Sequence, residues 1–235
     1  MVRTSESKVL PVAATPPRSE LARSRARIYR ALAIGYARPA DEQLLELFRP
    51  WGILETELPQ RALPVMMKRG LRKLGAWLER RGSQPPEELL IALGVEFTRL
   101  FRGLNRFHSP PPPYESVYVD SGLVYGPSTD QVTQTYRRFR LKGQNNEPPD
   151  HIALELDFMR FLCQREALAW QTEKGGQDLL KEEDAFLKEH LAGWVPALCQ
   201  NIRRFDTSGF YDGLADVTEG WICCDRRIIR GLIDL

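Results

Sequence analysis

Two stretches of the chain concentrate the residue types that do chemistry. One is Pro148-Pro149-Asp150-His151-Ile152-Ala153-Leu154-Glu155. His151 and Glu155 stand four apart, which sets them on one face of a helix, with Asp150 just ahead at the helix start. An imidazole and two carboxylates so placed could hold a divalent cation or act as general acid and base. The other is Pro110-Pro111-Pro112-Pro113-Tyr114-Glu115-Ser116-Val117-Tyr118, where a stiff proline run delivers Tyr114, Glu115 and Ser116. Ahead of it lies Glu96-Phe97-Thr98-Arg99-Leu100-Phe101, with Glu96 on the same helical side as Leu100 and Phe101. A carboxylate on an apolar side needs a partner, either an arginine or the backbone of the 110–118 loop.

Each of these features also has a plainer reading. Asp150 can cap its helix by accepting backbone N–H bonds while His151 packs on the neighbouring loop. Leu100 and Phe101 suit a core, and the proline run suits a strap that packs tyrosines on helices. HEXXH is absent, and the other histidines are His108 and His190. There is no GxxxxGK[ST], GxGxxG or GxSxG, so the usual phosphate-cradling and nucleophile-elbow signatures are missing. A metal-dependent hydrolase or nucleotide-binding enzyme using Asp150, His151 and Glu155 stays as the alternative. The main reading is that the two stretches form one recognition surface, not a catalytic centre.

Composition fits this. The 235 residues suffice for a sizeable core. With 33 basic and 31 acidic side chains the formal charge is +2, which argues against a nucleic-acid or anionic-membrane partner. The cysteines, Cys163, Cys199, Cys223 and Cys224, form no CxxC pair and read as reduced thiols in a cytoplasmic protein. No apolar run approaches the roughly 20 residues of a membrane span, and the N-terminus lacks a signal-peptide pattern.

The elements that must position these residues are helical throughout. Residues 1–18, with Pro11, Pro16 and Pro17, read as a disordered tail, and 19–235 as one all-helical domain of roughly eight to ten helices. Residues 1–30 carry seven bases against two acids, read as a basic, solvated end. Helices are expected from Ser19 to about Ala37, from Asp41 to Phe48, from about Pro59 to Arg81, and from Pro85 to Gly103. Residues 103–127 are expected as a long loop. Ser128 or Thr129 should cap a helix that Gly143 ends. The longest helix should run from Pro149-Asp150 to about Lys174, with Asp150 as its cap and Leu154, Phe158, Phe161, Leu162, Arg165 and Leu168 on its inner face. Residues 173–190, with six acids and three lysines, read as a largely solvated helix. Pro196 should start the next one, and a last helix should span about Gly209 to Arg230. No period-2 strand pattern appears.

ExTRLFxG at Glu96–Gly103, PPYESVY at Pro112–Tyr118, PPDHIALELDFM at Pro148–Met159 and FLKEHLAGW at Phe186–Trp194, in this order, resemble the TorD/DmsD/NarJ family of molybdoenzyme assembly chaperones. The resemblance runs from about Ser19 to about Arg230. It implies a TorD-like helical fold, no catalysis and no cofactor of the chain's own. It implies binding of the N-terminal, twin-arginine segment of an apo-molybdoenzyme until cofactor insertion. The peptide-binding residues it implies are Tyr114, Glu115, Ser116, Asp150, His151, Glu155, Glu96, Leu100 and Phe101. Carboxylates suit paired guanidinium groups, and an apolar groove between helices suits the stretch that follows them. Alanine at Asp150 or Glu155 should then weaken peptide binding without unfolding the chain. The loops at 103–127 and 141–149 are long enough for either a monomer or a domain-swapped dimer.

Overall fold

A computed structural model describes residues 17–48, 63–81, 85–102, 109–120, 122–141, 147–172 and 175–234. The expected tail, apart from its last residues, and Gly103, His108, Gly143 and Lys174 lie outside them. The fold is all-α. The helices are α1 (Arg18–Ala37), α2 (Glu42–Leu47), α3 (Val65–Arg81), α4 (Pro86–Phe101), α5 (Glu115–Val119), α6 (Pro127–Arg138), α7 (Ile152–Gln171), α8 (Gly176–Phe186), α9 (Ala192–Phe205) and α10 (Phe210–Ile233). A π-helical turn, Leu187–Leu191, joins α8 to α9. Among the described residues extended pairing amounts to one antiparallel bridge, Tyr114 to His151.

α1 lies along α7 and α3 lies along α10, the two most extensive helix pairs, while α10 also touches α1, α8 and α9. α10 is therefore the axis of the fold, and Leu214, Val217, Trp221 and Ile229 on it are fully buried. The α3–α10 contact rests on glycine. A Cβ on Gly70 would sit 2.7 Å from the Gly213 carbonyl oxygen and the Val217 nitrogen, and one on Gly220 would sit 2.6 Å from the Met67 nitrogen. Side chains there would wedge the helices apart.

α1 and α7 are fastened by charge. Arg25 is fully buried and bonds Asp225 of α10, Glu166 of α7 and Glu183 of α8. The sequence had placed Arg25 in a solvated basic end and Glu183 on a solvated acidic face. Charge runs in a sequence do not show which member turns inward; each pays for desolvation only because its partner is present. Cys163, Glu166 and Glu183 also bring their ligand atoms within 4.8 Å of one another, and the cation they surround is the Arg25 guanidinium.

Several boundaries differ from the expected ones. α3 begins after Pro64, since proline suits a helix entrance and not its interior. α5 lies inside the stretch expected as a loop. α6 is capped by neither Ser128 nor Thr129: Asp120, beyond the end of α5, accepts from the Ser128 N–H at 2.8 Å and from its hydroxyl. α7 ends at Gln171, and two residues expected on its inner face, Arg165 and Leu168, are exposed; its buried side runs instead through Glu155, Met159, Cys163, Glu166 and Ala167, and among the described residues α10 is the longest helix. Pro196 lies inside α9. The π turn just before it inserts an extra residue per turn, and so resets which face α9 presents.

Candidate functional site

The proline strap and the start of α7 zip together. The Glu115 N–H donates to the Asp150 carbonyl at 2.9 Å and the Ile152 N–H to the Pro113 carbonyl at 3.0 Å. The Tyr114 ring meets the His151 ring edge-on, 5.2 Å between centroids. Asp150 is completely buried, and its Oδ2 accepts the Ser116 N–H at 2.9 Å. It thus caps α5, not the helix it precedes. The cap of α7 is His151, whose Nδ1 accepts the Ala153 N–H at 3.1 Å. The expected capping roles are shifted by one residue because the bridge turns Asp150 across to the strap.

The π turn and α9 close the back of this junction. His190 Nδ1 lies 2.9 Å from Glu115 Oε2, and the Trp194 indole donates to Glu155 Oε2 at 3.2 Å. Tyr118 stacks at a tilt on Trp194, 5.4 Å between centroids, and its hydroxyl donates to the Pro111 carbonyl at 3.2 Å. Glu115, Asp150, Glu155, His151 and His190 are all buried. Three buried oxygens here, Ser116 Oγ, Asp150 Oδ1 and Glu155 Oε1, have no hydrogen-bond partner among the described residues. So many unmatched buried acceptors mark a polar site rather than ordinary core.

At the mouth stands Glu147. Its Oε2 accepts the Tyr114 hydroxyl at 2.8 Å and its Oε1 accepts from Arg102 at the end of α4. Burial pushes the Glu147 carboxyl up, but the bonds from Arg102 and Tyr114 outweigh it and hold it below its ordinary value. Burial lowers His151 to about 4 despite the nearby Glu147 carboxylate, so its imidazole is neutral and free to accept the cap bond. Burial, followed by the neighbouring Glu115, raises the Glu155 carboxyl well above the ordinary range. Burial of this kind disfavours the charged form of the carboxyl.

Of the nine residues singled out by sequence, Tyr114, Glu115, Ser116, Asp150, His151 and Glu155 come together here. Glu96, Leu100 and Phe101 sit in the core of α4. Glu96 takes two bonds from Arg99, at 2.8 and 2.5 Å, and one from the Thr207 N–H at 2.6 Å. Burial pushes its carboxyl up, but those bonds win and bring it to about 2. Its partners are an arginine and the α9–α10 turn, not the 110–118 loop. Leu100 is fully buried, and Phe101 packs on Tyr36 and Tyr211. His190, Trp194, Glu147 and Arg102 were not singled out. His190 and Trp194 lie in the FLKEHLAGW motif, and Glu147 directly precedes the Pro148-Pro149 pair, so their signals were present but unassigned.

A metal or catalytic centre on Asp150, His151 and Glu155 is not what the geometry gives. Each has its own structural partner, and among the described residues the convergent metal-capable group is the one around Arg25. An exposed apolar run, Val119, Leu123, Val124 and Tyr125, follows the strap, with Leu123 and Tyr125 each 69% exposed. Between α9 and α10 a groove of about 400 Å³ has Val195, Pro196 and Ile222 in its wall and Arg226, Arg227 and Arg230 beside them. Its cationic lining is the wrong sign for an arginine-bearing peptide. No described helix is long and apolar enough to cross a membrane.

Comparison with known proteins gives the family. Residues 60–200 match the family described as nitrate reductase delta subunit. Chaperone protein TorD from Vibrio cholerae serotype O1 (strain ATCC 39541 / Classical Ogawa 395 / O395) is 30% identical over 154 residues, covering 64% of this chain and 68% of the relative. The same-named protein of Shewanella pealeana (strain ATCC 700345 / ANG-SQ1) is 25% identical over 219 residues, covering 86% and 88%. A solved structure, titled as a putative redox enzyme maturation protein from Archaeoglobus fulgidus, covers 91% of this chain and 97% of its own at 20% identity and a TM-score of 0.46. The chain belongs to the nitrate reductase delta subunit family, and the relatives named here are chaperones.

Proposed function

We propose that this chain is a cytoplasmic, system-specific chaperone for a molybdenum-containing oxidoreductase of the DMSO reductase or nitrate reductase type. It binds the N-terminal, twin-arginine segment of the apo catalytic subunit. It holds that client until its molybdopterin cofactor is inserted, ahead of export or membrane assembly. The observation that carries this reading is the convergence of three separate motifs on one polar junction: Tyr114-Glu115-Ser116, Asp150-His151 with Glu155, and His190 with Trp194. A junction with unmatched buried oxygens, a partly exposed carboxylate at its edge and an exposed apolar run beside it suits a peptide of arginines followed by an apolar stretch. TorD relatives support the chaperone role.

The test is affinity capture from native cytoplasm with identification of the captured precursor, paired with calorimetry on a synthetic peptide of two arginines and an apolar stretch. Capture of an apo-precursor together with measurable peptide heat is expected. Permanent co-purification with mature enzyme, and no peptide heat from well-folded protein, would replace the chaperone by a structural subunit.

A further inference from the structure

We propose that Arg102 is a built-in stand-in for the client's arginine: it occupies Glu147 in the free chain and yields that carboxylate to a guanidinium on the incoming peptide. This rests on the peptide-binding reading above and names the contact by which it would begin.

Glu115, Asp150 and Glu155 are at most 3% exposed, so a guanidinium from outside cannot reach them without opening the strap. Glu147 is different. Its side chain is 31% exposed and that of Arg102 is 45% exposed. Tyr114 aims the carboxylate by donating to Oε2, and the strap aims Tyr114 through its bridge to His151. The other oxygen, Oε1, is the one Arg102 takes. The Arg102 guanidinium also lies 5.9 Å from the centre of the Phe97 ring. A fixed carboxylate with an aromatic face alongside is a guanidinium-recognition kit, and here it is shown holding one.

Energetics favour exchange. A half-exposed ion pair contributes little, because solvent screens it and both side chains lose freedom to form it. Arg102 stands at the C-terminal end of α4 and can swing into water without disturbing the helix. An incoming arginine keeps the Glu147 bond and adds the contacts of the rest of its peptide. Lysine, with no planar fork, should exchange less well.

The test titrates a fluorescent peptide of two adjacent arginines followed by ten leucines and alanines, and its Lys-Lys counterpart, into four proteins: wild type, Arg102→Ala, Glu147→Gln and the double variant. Circular dichroism confirms that each is folded. Removal of the internal competitor should tighten arginine-peptide binding about two- to fivefold in Arg102→Ala. Glu147→Gln should weaken it about tenfold. In the double variant the gain from Arg102→Ala should vanish, since nothing remains to compete for. The Lys-Lys peptide should bind more weakly and gain less. Unchanged or weaker binding in Arg102→Ala, with a wild type that binds, overturns the exchange and leaves the peptide-binding reading standing. No binding by wild type overturns both.

Discussion

The Arg25 guanidinium in α1 and the Asp225 carboxylate in α10 are 200 residues apart in sequence and share two hydrogen bonds, at 2.5 and 3.0 Å, where no solvent reaches. Tyr29 adds a third donor to Asp225 at 2.7 Å, and Trp170 donates to Glu166 at 2.7 Å. The cluster sets one cation among three acids, so the acids cannot all be ionised at low cost. Arg25→Met should destabilise the chain by about 3–5 kcal/mol, because it strands buried carboxyls without their cation. Urea unfolding followed by circular dichroism measures this, and a change below about 1 kcal/mol would contradict a central role for the cluster.

The same cluster fixes a pH dependence. Burial drives Glu183 up to about 8; Arg25 opposes this, while Glu166 and Asp225 add to it. The folded chain therefore keeps a proton that the unfolded chain releases near 4.5. Between those values the native state binds more protons, so this group's contribution falls as pH rises from about 4.5 to 8. Glu183→Gln, which cannot ionise, should flatten the decline. Urea midpoints at pH 5, 6.5 and 8 for both proteins check it; parallel profiles would refute the assignment.

His151 gives the opposite slope. Its folded value of about 4 lies below the ordinary 6.5, so the unfolded chain binds the extra proton in that window. Stability from the neutral imidazole is complete above about 6.5 and is lost as pH falls toward 4. His151→Asn retains a helix-capping acceptor and should show less acid loss. His151→Ala should cost about 1–2 kcal/mol at neutral pH, through the lost cap and the lost Tyr114 contact. Thermal melts across pH 4–7 distinguish the two variants.

Glu155 separates charge from hydrogen bonding. Because burial disfavours its charged form, Glu155→Gln should change stability little. Glu155→Ala leaves the Trp194 indole without its acceptor and should cost about 1–3 kcal/mol. Burial thus adds a stability cost to the effect expected from sequence, that alanine here weakens peptide binding without unfolding the chain. Tryptophan fluorescence during denaturation reports both stability and the Trp194 environment, and equal stability of the Gln and Ala variants would remove the bond from the account.

Gly70→Ala should destabilise by about 1–3 kcal/mol although alanine is the better helix former, because its methyl meets backbone of α10. Gly231→Ala, with nothing within 4 Å of the added methyl, should be neutral or stabilising by up to about 1 kcal/mol. A harmless Gly70→Ala in chemical denaturation would mean the helices can separate without loss.

Sequence by itself determined the helical class, the buried face of α4 and the motifs that meet at the junction. The 3.6-residue spacing of Leu89, Leu93, Phe97 and Leu100 forces a helix with one buried side, and all four are buried in α4. Proline and glycine punctuation placed most helix ends within a few residues, because those residues act locally on the backbone. Tertiary structure alone decided which charges turn inward. Arg25 and Glu183 look like any surface charge until Asp225 and Glu166 arrive from distant helices to share the cost of burial. It also moved the capping role from Asp150 to His151, since the bridge that turns Asp150 toward Ser116 joins segments 34 residues apart. Pairings of that range are invisible to local periodicity, and for the same reason Glu147 and Arg102 could be read as a unit only once the folded chain set them side by side.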